Sequence, residues 1–203
     1  YLDADDMMHK DKIKTQVEFM ESHPEIMLVS CGGITYNDKF EALCTFNLKC
    51  FESVNIMQYG QALPLTLGAS MVRLDHAKIF SYNHKLNVGE DYDYFARYCE
   101  GYRYANIGQS LYYYQTGNVT AQKILYYQFS ILKSIGVHWK MGLRLKALTL
   151  LFTSILKIAA YAFLLLFVKA NKLAEKRLGG KITNEMIEEF EQETATIRQL
   201  RKI

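Results

Sequence analysis

Apolar residues recur with different periods along the first part of the chain. Over Lys10–Ser22 they stand three or four positions apart, which predicts a helix with Ile13, Val17 and Met20 on its buried face. The following apolar run, Ile26–Tyr36, predicts a buried strand. A helix followed by a strand is the first sign of an α/β protein.

Shorter elements are predicted downstream. They are an edge strand or hairpin over Phe40–Lys49, a short helix over Phe51–Tyr59, a strand over Thr66–Leu74, a helical turn over Asp75–Phe80, a helix over Glu90–Glu100, and two strands, Tyr102–Ile107 and Leu111–Gln115, flanking a turn at Gly108. Strands and helices that alternate in this way predict an α/β sandwich with a mixed sheet.

Beyond Thr120 the pattern predicts helices alone. These helices cover Thr120–Met141, Leu143–Leu178 and Thr183–Lys202, with a break at Gly179-Gly180. The last helix is amphipathic, and its apolar face is formed by Met186, Ile187, Phe190, Ile197 and Leu200. The chain therefore divides into an α/β part (1–119), a helical extension (120–178) and a C-terminal amphipathic helix (181–203).

The segment Ala147–Val168 is almost wholly apolar and long enough to cross a bilayer. Lys157 lies at its middle, where a charge costs about 3 kcal/mol on insertion scales. Thr149, Thr153 and Lys157 form a narrow polar stripe on the first half of the helix. Three interpretations stay open: a membrane span, a helix lying on an anionic membrane surface, and a helix packed on its own domain or on a partner.

Composition narrows the function classes. The net charge of +3 is too small to indicate a nucleic-acid partner. The four cysteines form no C-x-x-C pair, which predicts free thiols in a reducing compartment. The five histidines show no spacing typical of metal ligands.

The acidic cluster Asp3-Ala4-Asp5-Asp6 is the first candidate for chemistry. It follows an apolar start that predicts the end of a strand, and carboxylates two residues apart can reach one divalent cation there. Such a cation can bridge a diphosphate and neutralise its charge as it leaves. The alternative is a solvated turn that caps the next helix.

A second acidic cluster, Gly89–Asp93, lies at the start of a predicted helix. The helix dipole is expected to lower the pKa of a carboxyl there, which suits an ionised general base. The alternative is an ordinary acidic helix N-terminus.

Taken together, the two clusters and the stretches around them resemble the family 2 glycosyltransferases, which are inverting enzymes with a GT-A fold. The resemblance covers roughly Tyr1–Thr120. It rests on Leu2–Asp6, Lys10–Ile13, Gln16-Val17, His23–Ile26, Leu67–Arg73, Val88–Arg97, Gly101–Ile107 and Leu111–Tyr114. It implies the C-terminal portion of the GT-A domain, a partial mixed-sheet sandwich that lacks the family's first nucleotide-binding segment and is followed by C-terminal helices.

The resemblance also implies a role for each acidic residue. Asp5 would ligate Mg²⁺ or Mn²⁺, Asp3 would contact the metal or the ribose, and Asp6 would belong to the same nucleotide-sugar site. Asp91 would be the general base, and Glu90 would orient the acceptor or the base.

Gly68, Ala69 and Ser70 would line the acceptor side of the site. The sequence has Gln115 where many family members carry an arginine, and a neutral amide cannot replace an arginine at a phosphate. Stabilisation of the leaving group would therefore fall more heavily on the metal.

The implied function is metal-dependent, inverting transfer of a sugar from a nucleotide diphosphate donor, first of all a UDP-sugar, to a saccharide or lipid-linked acceptor. The implied setting is bacterial surface polysaccharide synthesis, in the cytoplasm and peripheral to the inner face of the cell membrane. The alternative is a non-catalytic, transferase-like module that docks a membrane or a partner through its C-terminal helices.

Overall fold

The computed structural model describes residues 2–49, 51–56, 65–84, 90–99, 101–116, 144–169 and 180–200, with a few positions between 120 and 139. Cys50, most of the predicted helix Thr120–Met141 and the end of the predicted helix Leu143–Leu178 lie outside the described residues.

The described elements confirm a mixed α/β architecture with C-terminal helices. In chain order they are β1 (Met7–Met8), α1 (Lys12–Ser22), β2 (Ile26–Tyr36), β3 (Ala42–Phe46), β4 (Phe51–Ile56), β5 (Met71–Val72), α2 (Leu74–Ala77), α3 (Glu90–Tyr98), β6 (Arg103–Gln115), α4 (Arg144–Leu164) and α5 (Asn184–Leu200).

The described strands form one six-stranded mixed sheet around β2 and β6, which run parallel to each other. On the outer side of β2, β5 and β3 pair in succession along its length, both antiparallel. On the outer side of β6, β4 and β1 do the same. Nearly every residue of β2 is buried, as expected for a central strand covered on both faces.

Three predicted elements were wrong. Residues 51–56 form a strand instead of a helix, because Phe51 and Ile56 pair with β6. The predicted strand Thr66–Leu74 is mostly a turn, closed by a hydrogen bond from Ser70 N to Leu67 O (2.8 Å), and only β5 remains of it.

The predicted turn at Gly108 is instead part of the continuous strand β6. Cys31 pairs with Ile107 while the next residue, Gly32, pairs with Ser110, so β6 accommodates Gly108 and Gln109 as an irregularity in the pairing. Gly108 thus marks a bulge within the strand and not the end of the strand.

Helix α1 confirms only Met20 of its predicted buried face. Lys12, Gln16 and Met20 are buried, whereas Ile13 and Val17 are 46% and 37% exposed. The amide of Gln16 explains part of the change, because its Nε2 donates a hydrogen bond to Ala69 O (2.8 Å) beneath the turn that precedes β5.

The C-terminal helix α5 packs on the sheet, and its predicted apolar face is confirmed at Phe190, Met186 and Ile197. Phe190 is fully buried against Tyr36 of β2 and Tyr113 of β6. These contacts make α5 part of the same hydrophobic core as the sheet.

Helix α4 is long and apolar enough to cross a membrane by length and composition, a test that core helices also pass. The stretch concerned, Ala147–Leu164, has a mean hydropathy of 1.9. Only 12% of it is buried. The helix ends at Leu164, earlier than the predicted Leu178, and turns at 165–167.

Candidate active site

The acidic cluster forms a tight turn that leads into β1. Asp6 N donates a hydrogen bond to Asp3 O (3.2 Å), and Leu2 belongs to no described strand, contrary to the predicted strand end. The hydroxyl of Tyr36 donates to Asp5 O (2.8 Å), which fixes the turn against β2. Asp3 and Asp5 are exposed, whereas Asp6 is buried.

Asp6 is turned into the protein, and both of its carboxylate oxygens accept hydrogen bonds. The donors are the Tyr112 hydroxyl to Oδ2 and the Gln115 main-chain N–H to Oδ1 (2.8 Å). Burial raises the pKa of the Asp6 carboxyl, with smaller contributions from Asp5 and Asp3, and the two hydrogen bonds oppose this rise. Asp6 therefore connects the acidic turn to the end of β6.

Tyr112 connects the acidic turn to the turn that carries the predicted acceptor residues. It is fully buried, and its hydroxyl interacts with Asp6 and with the main chain of Asp3. It also lies against Gly68, where a Cβ atom would clash with the Tyr112 hydroxyl. Burial, together with the Asp6 carboxylate, raises the pKa of Tyr112, so this hydroxyl stays protonated.

The turn that carries the predicted acceptor residues is closely packed. Ser70 Oγ donates to Thr66 O (2.8 Å), and both Ala69 and Ser70 are buried. Ala69 O accepts hydrogen bonds from Gln16 Nε2 and, at 3.4 Å, from Cys31 Sγ. The side chains of Ala69 and Ser70 thus point into the protein. Gly68 lies against the Tyr112 hydroxyl.

Glu90 and Asp91 begin helix α3. The pKa of Asp91 is raised, first by partial burial of its carboxyl group and then by the negative charges of Glu90 and Asp3. The predicted lowering by the helix dipole was wrong, because burial and neighbouring carboxylates outweigh it. The effect of Asp3 also shows that the two acidic clusters lie close enough to interact.

Glu90 has a buried carboxylate oxygen that accepts no hydrogen bond from the described residues. Its Oε2 is shielded from solvent and has no hydrogen-bond partner in the part of the chain that the structure describes. A buried carboxylate oxygen without a donor is costly, which makes it a candidate to accept a hydrogen bond from a ligand.

Besides Tyr112, two residues near the site were missed by sequence reasoning. Lys12 is buried, and its Nζ lies 5.7 Å from the centre of the Tyr112 ring. Burial lowers the pKa of this ammonium group. Tyr114 lies close to the acidic turn, because Asp6, Asp5 and Asp3 contribute, after burial, to its raised pKa. The Tyr112 ring thus has a buried cation near it, and the acidic turn has the phenol of Tyr114 beside it.

The donor set available to a metal is small. The described residues contain no group of three or more His, Cys, Asp or Glu side chains that could hold an ion. Asp3 and Asp5 are exposed, and their carboxylates have no hydrogen-bond or ion-pair partner among those residues. Gln115 donates its side-chain amide to Asp38 (2.9 Å).

The fold and the site define a mixed α/β domain with a carboxylate-rich surface site. The sequence matches no protein-family model, and no curated protein is similar enough to it to count as a relative. The geometry of these residues and the motifs that they carry are therefore the guides to function.

Proposed function

We propose that the chain carries the catalytic carboxylates of an inverting glycosyltransferase with a GT-A fold. The reaction moves a sugar from a nucleotide diphosphate, first of all a UDP-sugar, to a hydroxyl group of a saccharide or lipid-linked acceptor. The observation that carries the proposal is that the two acidic clusters, which are far apart in the sequence, lie near each other, since the charge of Asp3 contributes to the raised pKa of Asp91.

Asp3 and Asp5 fit a hard divalent cation, Mg²⁺ or Mn²⁺. They offer exposed oxygen ligands, and Mg²⁺ is commonly bound by one or two carboxylates while phosphates and water complete its shell. When bound, such an ion would neutralise charge on the diphosphate leaving group. Asp6 has a structural role in this site, because both of its carboxylate oxygens accept hydrogen bonds, one from Tyr112 and one from Gln115.

Asp91 fits the general base. A raised pKa makes its carboxylate a stronger proton acceptor, provided that it remains ionised at the working pH. It would take the proton of the acceptor hydroxyl as the oxygen attacks the anomeric carbon. Glu90 would accept a hydrogen bond from the acceptor through Oε2, the atom that lacks a partner among the described residues.

Calorimetry tests the metal site. Mn²⁺-dependent binding of UDP and of pyrophosphate is measured on the wild type, on an Asp3→Ala/Asp5→Ala variant and on a Glu21→Ala/Glu25→Ala control, which removes two exposed acids elsewhere. Pyrophosphate is included because its binding does not depend on recognition of the base. We expect both ligands to bind the wild type and the control only. Equal binding by all three proteins would refute the site.

Turnover separates the enzyme from the non-catalytic alternative. Asp91→Asn keeps the shape of the side chain but cannot accept the proton, so we expect transfer to be lost while Mn²⁺–UDP binding is retained. Asp75→Asn, at the exposed start of α2, is the matched control. Unchanged turnover in Asp91→Asn would exclude Asp91 as the base. Metal-dependent binding without any turnover by the wild type would favour the non-catalytic module.

A further inference from the structure

Helix α4 exposes apolar side chains that a water-soluble helix normally covers. Residues with more than half of their surface exposed include Leu148 (53%), Phe152 (69%) and Ile155 (53%). The turn after the helix continues this surface with Leu166 (76%) and Phe167 (73%). A contiguous apolar surface of this kind marks an interaction site.

The helix has three distinct sides, which follow from a rotation of about 100° per residue. Ala147 and Ser154, two turns apart, are buried within the chain and define the inner side. Thr149, Thr153 and Lys157 recur every four residues and define a polar side next to it.

The apolar arc Leu148, Phe152 and Ile155 points away from both of those sides. A helix attached to its protein on one side, with an apolar arc on another side that faces away from the protein, has the geometry of a helix lying in the plane of a membrane surface. A spanning helix is a poorer fit, because the inner side would hold the rest of the chain at the level of the acyl chains.

The polar side of α4 also suits a helix that lies in the plane of a membrane surface. The Thr149 hydroxyl donates to Leu145 O (2.9 Å) and the Thr153 hydroxyl donates to Thr149 O (2.8 Å), so neither needs water as an acceptor. Lys157 is exposed and lies on that side, where its long side chain can reach lipid phosphates.

The distribution of charged residues along the sequence indicates which kind of surface α4 would bind. All 21 acidic residues of the chain lie outside positions 101–174, a segment that contains nine of the 24 lysines and arginines. A long segment with bases and no acids is attracted to anionic lipids, at about 1 kcal/mol for each base near the surface.

The only tryptophan of the chain, Trp139, lies near the N-terminal end of α4. Trp139 is 49% exposed, and the guanidinium carbon of Arg144 lies 5.9 Å from the centre of its ring. Tryptophan and arginine side by side are typical of the zone between lipid headgroups and acyl chains.

We propose that α4 lies in the plane of an anionic lipid bilayer surface, with the arc Leu148, Phe152 and Ile155 in the acyl region and the basic residues among the headgroup phosphates. This inference does not depend on the proposed transferase activity, because no residue of the acidic site takes part in it.

The fluorescence of Trp139 tests the proposal directly. The chain is titrated with vesicles of phosphatidylglycerol or of phosphatidylcholine, at low and high salt. We expect a blue shift with the anionic vesicles only, weakened by salt, and quenching by lipids brominated near the headgroup more than by lipids brominated at the chain end. Absence of binding to anionic vesicles would overturn the proposal.

Two matched variants identify the binding side. Phe152→Gln/Ile155→Gln removes two apolar side chains from the arc, whereas Thr149→Gln/Thr153→Gln makes the same number of neutral changes on the polar side. We expect the first variant to bind at least about tenfold more weakly and the second to bind within about twofold of the wild type, since the lost burial lies on the arc. Circular dichroism checks that both are folded, and equal losses would overturn the assignment.

Other occupants of the arc give different results. Resistance to alkaline carbonate extraction would indicate a span and overturn the in-plane geometry. Self-association in the absence of lipid, abolished in the arc variant and unaffected by vesicles, would assign the arc to a second copy of the chain and also overturn the proposal.

Discussion

The aspartates of the acidic turn have different surroundings although they are neighbours in the sequence. Asp3 and Asp5 face solvent, while Asp6 is buried and receives hydrogen bonds from Tyr112 and Gln115. A buried carboxylate with two donors holds structure together, whereas an exposed one is available to a ligand. The proposed ligand contacts therefore fall to Asp3 and Asp5.

Stability measurements distinguish these roles. Asp6→Ala leaves the Tyr112 hydroxyl and the Gln115 N–H without their acceptor, so we expect it to lower the free energy of unfolding by about 1–3 kcal/mol. Asp5→Ala is the matched control and should change it by less than about 0.5 kcal/mol, because an exposed side chain is lost. Urea denaturation followed by circular dichroism measures both, and equal effects would contradict the division of roles.

The carboxyl pKa of Asp91 can be measured without any assumption about activity. Burial, Glu90 and Asp3 raise it in that order, so we expect a value above the ordinary 3.8. Carbon NMR titration of the metal-free chain should show a lower pKa for Asp91 in Glu90→Gln and a smaller decrease in Asp3→Asn, since each variant removes one negative charge. A value at or below 3.8 in the wild type would show that the helix dipole dominates.

The sign of this shift sets the pH dependence of the proposed reaction. The base must be ionised, so transfer should fall as the pH drops through the raised pKa of Asp91, earlier than for an ordinary aspartate. The same shift means that ionised Asp91 opposes folding above pH 3.8, because the folded state binds its proton more tightly than the unfolded chain does. Asp91→Asn should therefore cost no stability at neutral pH.

At the level of elements, the sequence predicted those with a strong internal pattern. The strand β2 and the apolar face of α5 could be predicted because their apolar residues follow one period. The strand β4 could not, since it exists through its pairing with β6. The inner face of α1 was misjudged because Lys12 and Gln16 are buried through a ring contact and a main-chain acceptor that lie far away in the sequence.

In the candidate site, too, the residues that depend on contacts between distant parts of the chain could not be predicted. Asp3, Asp5 and Asp91 were predicted from motifs, and the structure brings Asp3 near Asp91. Tyr112 was not singled out, because a buried tyrosine in an aromatic-rich strand is expected in any core. Its hydroxyl acquires importance only through Asp6 and Gly68, which contact it from other parts of the chain.

Helix α5 provides a test of how an element depends on its packing. Phe190 is fully buried against the sheet, so we expect Phe190→Ala to lower the free energy of unfolding by about 3–5 kcal/mol through lost burial and a cavity. Phe167→Ala removes the same side chain from a position that is 73% exposed and should change stability by less than about 0.5 kcal/mol. Comparable losses in the two variants would mean that α5 does not form part of the core.

The molecule as a whole combines a well-packed part with an exposed one. The sheet and α5 share buried side chains, and Lys10 adds an ion pair to Glu193 (2.8 Å) on α5. That pair lowers the pKa of Glu193, so its contribution to stability is present at neutral pH and is lost as the pH falls through the lowered pKa. Helix α4, by contrast, has few buried side chains.

This difference predicts two levels of amide hydrogen exchange. In lipid-free solution, amides of β2, β6 and α5 should exchange only through global unfolding, because their elements share one core. Amides of α4 should exchange through local opening, faster by orders of magnitude, since few apolar contacts must be broken there. Anionic vesicles should slow exchange in α4 and leave β2 unchanged, because the bilayer supplies contacts that the protein lacks. Mass spectrometry of peptides from both regions measures this, and equal protection in lipid-free solution would show that α4 belongs to the same cooperative unit as the sheet.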